Sequence, residues 1–170
     1  MTNTHAIKQP MTRRITMSAM CIALYCVVMY FTQAFAFGAY QIRIATAIYS
    51  LGFFFPWLTI PMGFANALSN MLMGGFGVFD ILGGALAGVL TTGSCALLGR
   101  LRTGWAPYTV AFPVTLIPAL LVPIWLAPAL GMPYWPLAVN LLVGQFFPGV
   151  VSAVLITVMK KYHIKERFSL

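Results

Sequence analysis

The chain has 170 residues, 61% of them hydrophobic and only 7% charged, with a mean hydropathy of +0.90. Soluble domains carry about 25% charged residues, so a water-soluble fold is excluded. Ten basic and two acidic residues give a net charge of +8, and two acids leave little material for paired-carboxylate catalysis or a carboxylate metal cage.

At about 20 apolar residues per crossing helix, the length allows roughly six crossings and almost no extramembrane domain. The first apolar segment covers about 14–37. Lys8, Arg13 and Arg14 precede its run from Ile15 to Phe31, and Ala34-Phe35-Ala36 resembles a signal-cleavage site. That run exceeds the roughly 7–15 residues of a signal core, so a retained first helix is expected. The second segment, about 41–55, stops at Pro56-Trp57, and the third, about 58–73, stops at Gly74-Gly75. Both are short, and they read either as two crossings or as one irregular pair. The fourth covers about 78–98 and ends at Gly99-Arg100.

The fifth segment covers about 107–126, and Pro107, Pro113, Pro118, Pro123 and Pro128 punctuate it and its end. Each interior proline removes a backbone hydrogen bond and bends a helix, so a kinked or broken element is expected. Such an element either lines a cavity or is a bent packing helix. The sixth covers about 135–159, before Lys160-Lys161.

Basic residues mark the cytoplasmic side of membrane proteins. With six crossings and a cytoplasmic N-terminus, Lys8, Arg13, Arg14, Arg100, Arg102, Lys160, Lys161, Lys165 and Arg167 all lie inside and only Arg43 lies outside. Five crossings would strand the C-terminal basic cluster outside. The expected fold is therefore an all-α, six-helix transmembrane bundle with both termini in the cytoplasm. Residues 13–160 form the bundle, and 1–12 and 161–170 are its tails. Trp57 and Trp105 fall near inner turns and Trp125 and Trp135 near outer ends, as interfacial indoles do.

Several chemistries drop out. The basic residues sit at span ends, which argues against a nucleic-acid surface. Cys21, Cys26 and Cys95 fit no thiolate metal spacing, and His5 and His163 lie in polar stretches near the termini. No His-Glu-x-x-His, Gly-x-Ser-x-Gly or P-loop is present. Neither an enzyme nor a bound cofactor is expected, and an ATP-driven role would need a separate ATPase.

Intramembrane polar groups are costly and therefore informative. Gln41, Arg43 and Thr46 open the second segment on the outer side. Asn66 and Asn70, four apart and on one helix face, lie late in the third. Asp80 opens the fourth, and Asn140 and Gln145 lie in the outer half of the sixth. These eight share one depth zone. Tyr40, Tyr49, Phe79 and Phe146 fall near it and offer stacking surfaces. Arg43 and Asp80 either pair with each other or each hold part of a polar ligand. The group reads as a small outward-facing pocket, apolar with a few orienting polar groups, or as glue between helices. Ala19 and Ala23, and Gly84 and Gly88, form small-residue stripes that let helices approach closely.

The run Gln41-Ile42-Arg43-Ile44, the apolar stretch to Pro56, and then Gly63, Asn66, Gly77, Asp80 and Gly83-Gly84 resemble the QueT family of queuosine-precursor transporters. The resemblance runs through the first four segments and more loosely into the sixth. It implies the substrate-binding S component of an energy-coupling factor transporter in a bacterial plasma membrane. Such a subunit has six helices, an outer ligand site, and partners in a transmembrane coupling subunit and two ATPases. Ala19 and Ala23 match the family's Ala-x-x-x-Ala pattern for the coupling subunit. The implied ligands are 7-deazaguanines. Asp80 would accept the donor edge of a guanine-like ring, Asn and Gln side chains would read its other atoms, and Phe79 would stack on it. Two departures bear on the ligand. The family pattern has an acid near the position of Thr46 and a Gly-Glu pair where this chain has Gly144-Gln145. A buried ammonium needs a counter-charge, so the loss of both acids points to the neutral cyano form over the aminomethyl form.

Overall fold

The computed structural model describes residues 10–36, 41–73, 75–101 and 104–164. Every regular element among them is helical. The order is α1 (Met11–Ala36), a 3-10 helix η1 (Ile44–Phe53), a one-turn 3-10 segment η2 (Pro56–Leu58), α2 (Thr59–Met73) and α3 (Val78–Leu98). Three short pieces follow, α4 (Ala106–Thr109), α5 (Ala111–Leu121) and α6 (Pro123–Leu130), and then α7 (Tyr134–Lys161).

Four helices are long and apolar enough to cross a membrane: Met11–Ala36, Val78–Leu98, Ala106–Leu130 and Tyr134–Lys161. The chain is thus a multi-pass membrane protein. The second and third segments differ from the expected full crossings. Ten residues wound as a 3-10 helix span about 20 Å at 2.0 Å per residue, and the fifteen of α2 span about 22 Å as α-helix. Both fall short of the roughly 30 Å hydrocarbon core. Lipid contact does not demand more of η1, because eight of its ten residues are buried. Its small residues Ala45, Ala47, Ser50 and Gly52 let neighbours close in on all sides.

The proline-rich segment is interrupted, as its sequence implies, but it is not unwound. Val110 and Val122 separate its three pieces, yet both keep right-handed helical angles (φ −63°, ψ −22° and φ −57°, ψ −39°). Pro113, Pro118, Pro123 and Pro128 recur every fifth residue. Five residues turn about 140° beyond a full turn, so the prolines do not stack on one face, and Ala106–Leu130 stays usable as a crossing.

The α2–α3 pair positions the polar residues. A Cβ on Gly84 would sit 2.6 Å from Asn70 Nδ2, and one on Gly88 would sit 2.9 Å from the Met62 carbonyl. Only glycine admits this approach. The register is antiparallel, pairing Met62 with Gly88, Asn66 with Gly84 and Asn70 with Asp80, one turn per step. The Gly84–Gly88 stripe therefore serves packing inside the bundle.

The main apolar core joins Tyr25 and Met29 of α1, Tyr49 and Phe53 of η1, Leu58, Met62 of α2, Cys95 of α3 and Ile156 of α7. A smaller cluster holds α5 and α6 to α7 through Ala119, Leu126, Leu137 and Leu141.

Candidate functional site

Seven of the eight polar residues that sequence placed at one depth are buried: Gln41, Arg43, Thr46, Asn66, Asn70, Asp80 and Gln145. Six of them lie on one continuous hydrogen-bonded path. Gln145 of α7 donates through Nε2 to the Gln41 carbonyl at 3.3 Å. Its Oε1 accepts from Thr46 Oγ1 at 2.9 Å. That hydroxyl also lies 2.7 Å from the Arg43 carbonyl, so one proton serves two acceptors. Arg43 Nη2 donates to Asn70 Oδ1. Asn70 Nδ2 donates to the Asp80 carbonyl at 2.9 Å. The Asp80 carboxylate accepts the Phe76 N–H at 3.2 Å and the Trp125 indole N–H at 3.1 Å.

The path joins α7, η1, α2, α3 and α6. Asn66 extends it, donating to the Gly84 carbonyl at 2.7 Å, and Ser69 Oγ donates to the Asn66 carbonyl at 2.9 Å. A second contact brings in α1: the Tyr25 and Tyr49 hydroxyls lie 2.7 Å apart and their rings stack at 5.4 Å. The backbone is strained at the rim, where Gln41 has φ 44°, a left-handed conformation that side-chain-bearing residues rarely adopt.

Two charged residues are buried among the described residues, Arg43 at 6% exposure and Asp80 at 5%. The pair is neutral overall, and Asn70 stands between them, bonded to the Arg43 side chain and the Asp80 backbone. Asp80 therefore spends its carboxylate on Trp125 and Phe76. Each of its oxygens keeps a further lone-pair site. Asn66 Oδ1, fully enclosed, has no hydrogen-bond partner. The site thus combines a guanidinium, several amides, a carboxylate with spare acceptor capacity and one unmatched acceptor. That set suits a flat polar molecule carrying both donors and acceptors.

A family model for the QueT transporter matches residues 15–161. The chain belongs to the QueT transporter family. It is a transporter protein, and the matched stretch contains every residue of the site. Neither the curated proteins nor the solved structures yield a match.

Three residues from the sequence reading stand apart from this network. Phe79 is 79% exposed. It neighbours Asp80, and one residue turns a helix by about 100°, so burying Asp80 turns Phe79 outward. The stacking role is therefore corrected. Phe146, beside buried Gln145, is 66% exposed for the same reason. Asn140 is only half-buried, and five residues place it about 140° round α7 from Gln145. Tyr40 lies outside the described residues. Ala19 and Ala23 both lie exposed on α1, four apart and so on one face.

Trp125, Ser69 and Tyr25 belong to the site region and escaped the sequence reading. Trp125 was readable only as an interfacial indole. Its signal was depth, since it ends the fifth segment on the side where Asp80 begins the fourth. Its ring lies over Gly83, where a Cβ would come within 2.5 Å.

Proposed function

We propose that this QueT-family protein is the membrane-embedded substrate-binding subunit of an energy-coupling factor transporter. It sits in a bacterial plasma membrane as a bundle of six helical segments, the second and third of them short, with both termini inside. Its ligand is a queuosine precursor of the 7-deazaguanine type in the neutral cyano form. Two ATPases and a coupling subunit drive uptake, and the exposed Ala19–Ala23 face of α1 meets that coupling subunit.

The observation that carries the ligand choice is the contact between Thr46 and Gln145. Thr46, near which the resemblance puts one family acid, and Gln145, where it puts the other, are side by side here, joined by a 2.9 Å hydrogen bond. Two acids in that place would give a negative locus for an ammonium. Thr46 and Gln145 instead form a neutral, mutually satisfied pair. The remaining buried charges, Arg43 and Asp80, already balance. A cationic ligand would add a positive charge with no partner, at a desolvation cost of several kcal/mol. A neutral ring leaves the balance intact. Its N–H groups would meet Asn66 Oδ1 and the free lone pairs of Asp80, and its carbonyl the Arg43 guanidinium.

The test is thermal unfolding of the detergent-purified protein with the cyano and the aminomethyl 7-deazaguanines. Binding at 100 times Kd adds about 2.7 kcal/mol of stability. Stabilisation by the cyano form alone is expected. Equal stabilisation by the aminomethyl form would overturn the charge argument. No shift with either, in folded protein, would remove deazaguanines as the ligand class.

A further inference from the structure

An indole at a membrane boundary normally turns its N–H toward water or headgroups. Trp125 does not. It is half-buried, and its Nε1–H donates to Asp80 Oδ1 at 3.1 Å. Its ring is seated on the helix that carries Asp80. A Cβ on Gly83 would meet the indole carbons Cε2, Cζ2 and Cδ2 at 2.5 to 2.7 Å. Gly83 lies three residues beyond Asp80, so both contacts fall on one face of α3. The indole also packs against the cluster of Ala119, Leu126, Leu137 and Leu141. Packing therefore sets where its N–H points.

Asp80 Oδ2 is held separately, by the Phe76 N–H at 3.2 Å. Two donors, one from the turn before α3 and one from α6, thus pin both oxygens of the one carboxylate buried among the described residues. A carboxylate held at one oxygen still turns about its Cβ–Cγ bond. Held at both, it aims its spare lone pairs in fixed directions. The turn at Phe76 and Gly77 is exposed, and nothing lies within 4 Å of a Cβ placed on Gly77. The carboxylate therefore lies at the open edge of the network.

We propose that Trp125 is a positioning residue that sets ligand specificity through Asp80. The proposal rests on the deazaguanine reading above. With its oxygens fixed, Asp80 demands a second donor beside the ring N–H, the exocyclic amine of a guanine-type ring. A carboxylate free to turn would follow the ring N–H alone and tolerate the loss of the amine. A preorganised polar group rejects an analogue lacking its partner because it is left unpaired.

The test is titration calorimetry on the full-length protein in detergent. The two probes are the cyano 7-deazaguanine and the same molecule without its exocyclic amine, and the readout is the ratio of their Kd values. The unchanged protein should favour the amine about thirtyfold, as for a hydrogen bond to a charged group. Trp125→Phe keeps an aromatic ring and loses the N–H. It should lower the ratio to about threefold, near the low end for an ordinary hydrogen bond. Gly83→Ala keeps the indole but dislodges it, and should lower the ratio as well. Trp135→Phe should leave the ratio unchanged, because that ring is exposed and set edge-on against Tyr134. Gel filtration checks folding, and Gly83→Ala reports should Trp125→Phe not fold. Equal weakening of both ligands in Trp125→Phe would make Trp125 a packing residue and overturn the proposal. An unmoved or higher ratio overturns it too, and leaves the deazaguanine reading standing. Binding of neither ring by the unchanged protein overturns that reading and this assignment with it.

Discussion

The two ends of this bundle solve the same problem in opposite ways. At one end, Arg43, Thr46, Asn70, Asp80, Trp125 and Gln145 satisfy one another along a path crossing five elements. At the other end, Phe53, Phe54, Phe55 and Trp57 stack edge to face or tilted at 5.0 to 6.3 Å, and the enclosed Arg14 Nε and Trp57 Nε1 lack acceptors. In a membrane a buried polar group without a partner is expensive. A hydrogen-bonded network therefore specifies how helices sit, while aromatic packing holds the other end without such directional bonds. The first end orders the protein through directional bonds while Asn66 Oδ1 keeps an unmatched acceptor, and the second end is held by aromatic packing.

The comparison can be broken by substitution. Asp80→Ala should have the largest effect, about 3 kcal/mol of lost stability, because it orphans the Trp125 and Phe76 donors and leaves Arg43 without its balancing charge. It should also abolish ligand-induced stabilisation. Gly84→Ala should cost about 2 kcal/mol by forcing a methyl group against the Asn70 amide, and should loosen the α2–α3 register. Thr46→Val should cost about 1 kcal/mol. Adding Gln145→Leu should not recover that, since it also takes the donor from the Gln41 carbonyl. Trp57→Phe should change stability by less than about 0.5 kcal/mol. Thermal unfolding of the same detergent-purified series reads all four. A Trp57→Phe loss as large as that of Asp80→Ala would show that the ends do not differ in kind.

Much of the polar end was legible from sequence because cost made it so. Few strong hydrogen-bonding side chains enter the apolar segments, and depth grouped them. What depth does not carry is azimuth. Phe79 and Asp80 share a depth but point about 100° apart, and so do Phe146 and Gln145. An alternation of apolar and polar residues would have revealed the inward face, but lipid-facing and core-facing side chains are equally apolar here. The 3-10 winding of η1 was hidden for a related reason. A segment buried on all sides shows no hydrophobic period, so nothing distinguishes three residues per turn from 3.6. The interrupted proline segment was readable, because proline acts through its own missing N–H whatever surrounds it.

The winding of η1 also sets a mutational rhythm. In a 3-10 helix, side chains three apart eclipse one another. Arg43, just before η1, then Thr46, Tyr49 and Gly52 form one such row. Its members meet α2, α7, α1 and α3 in turn, through Asn70, Gln145, Tyr25 and the Thr92 carbonyl. A saturation scan across this stretch should therefore show intolerance at nearly every position, deepest along this row, while α2 beats in threes and fours. A single row of four residues would thereby report on four helices at once.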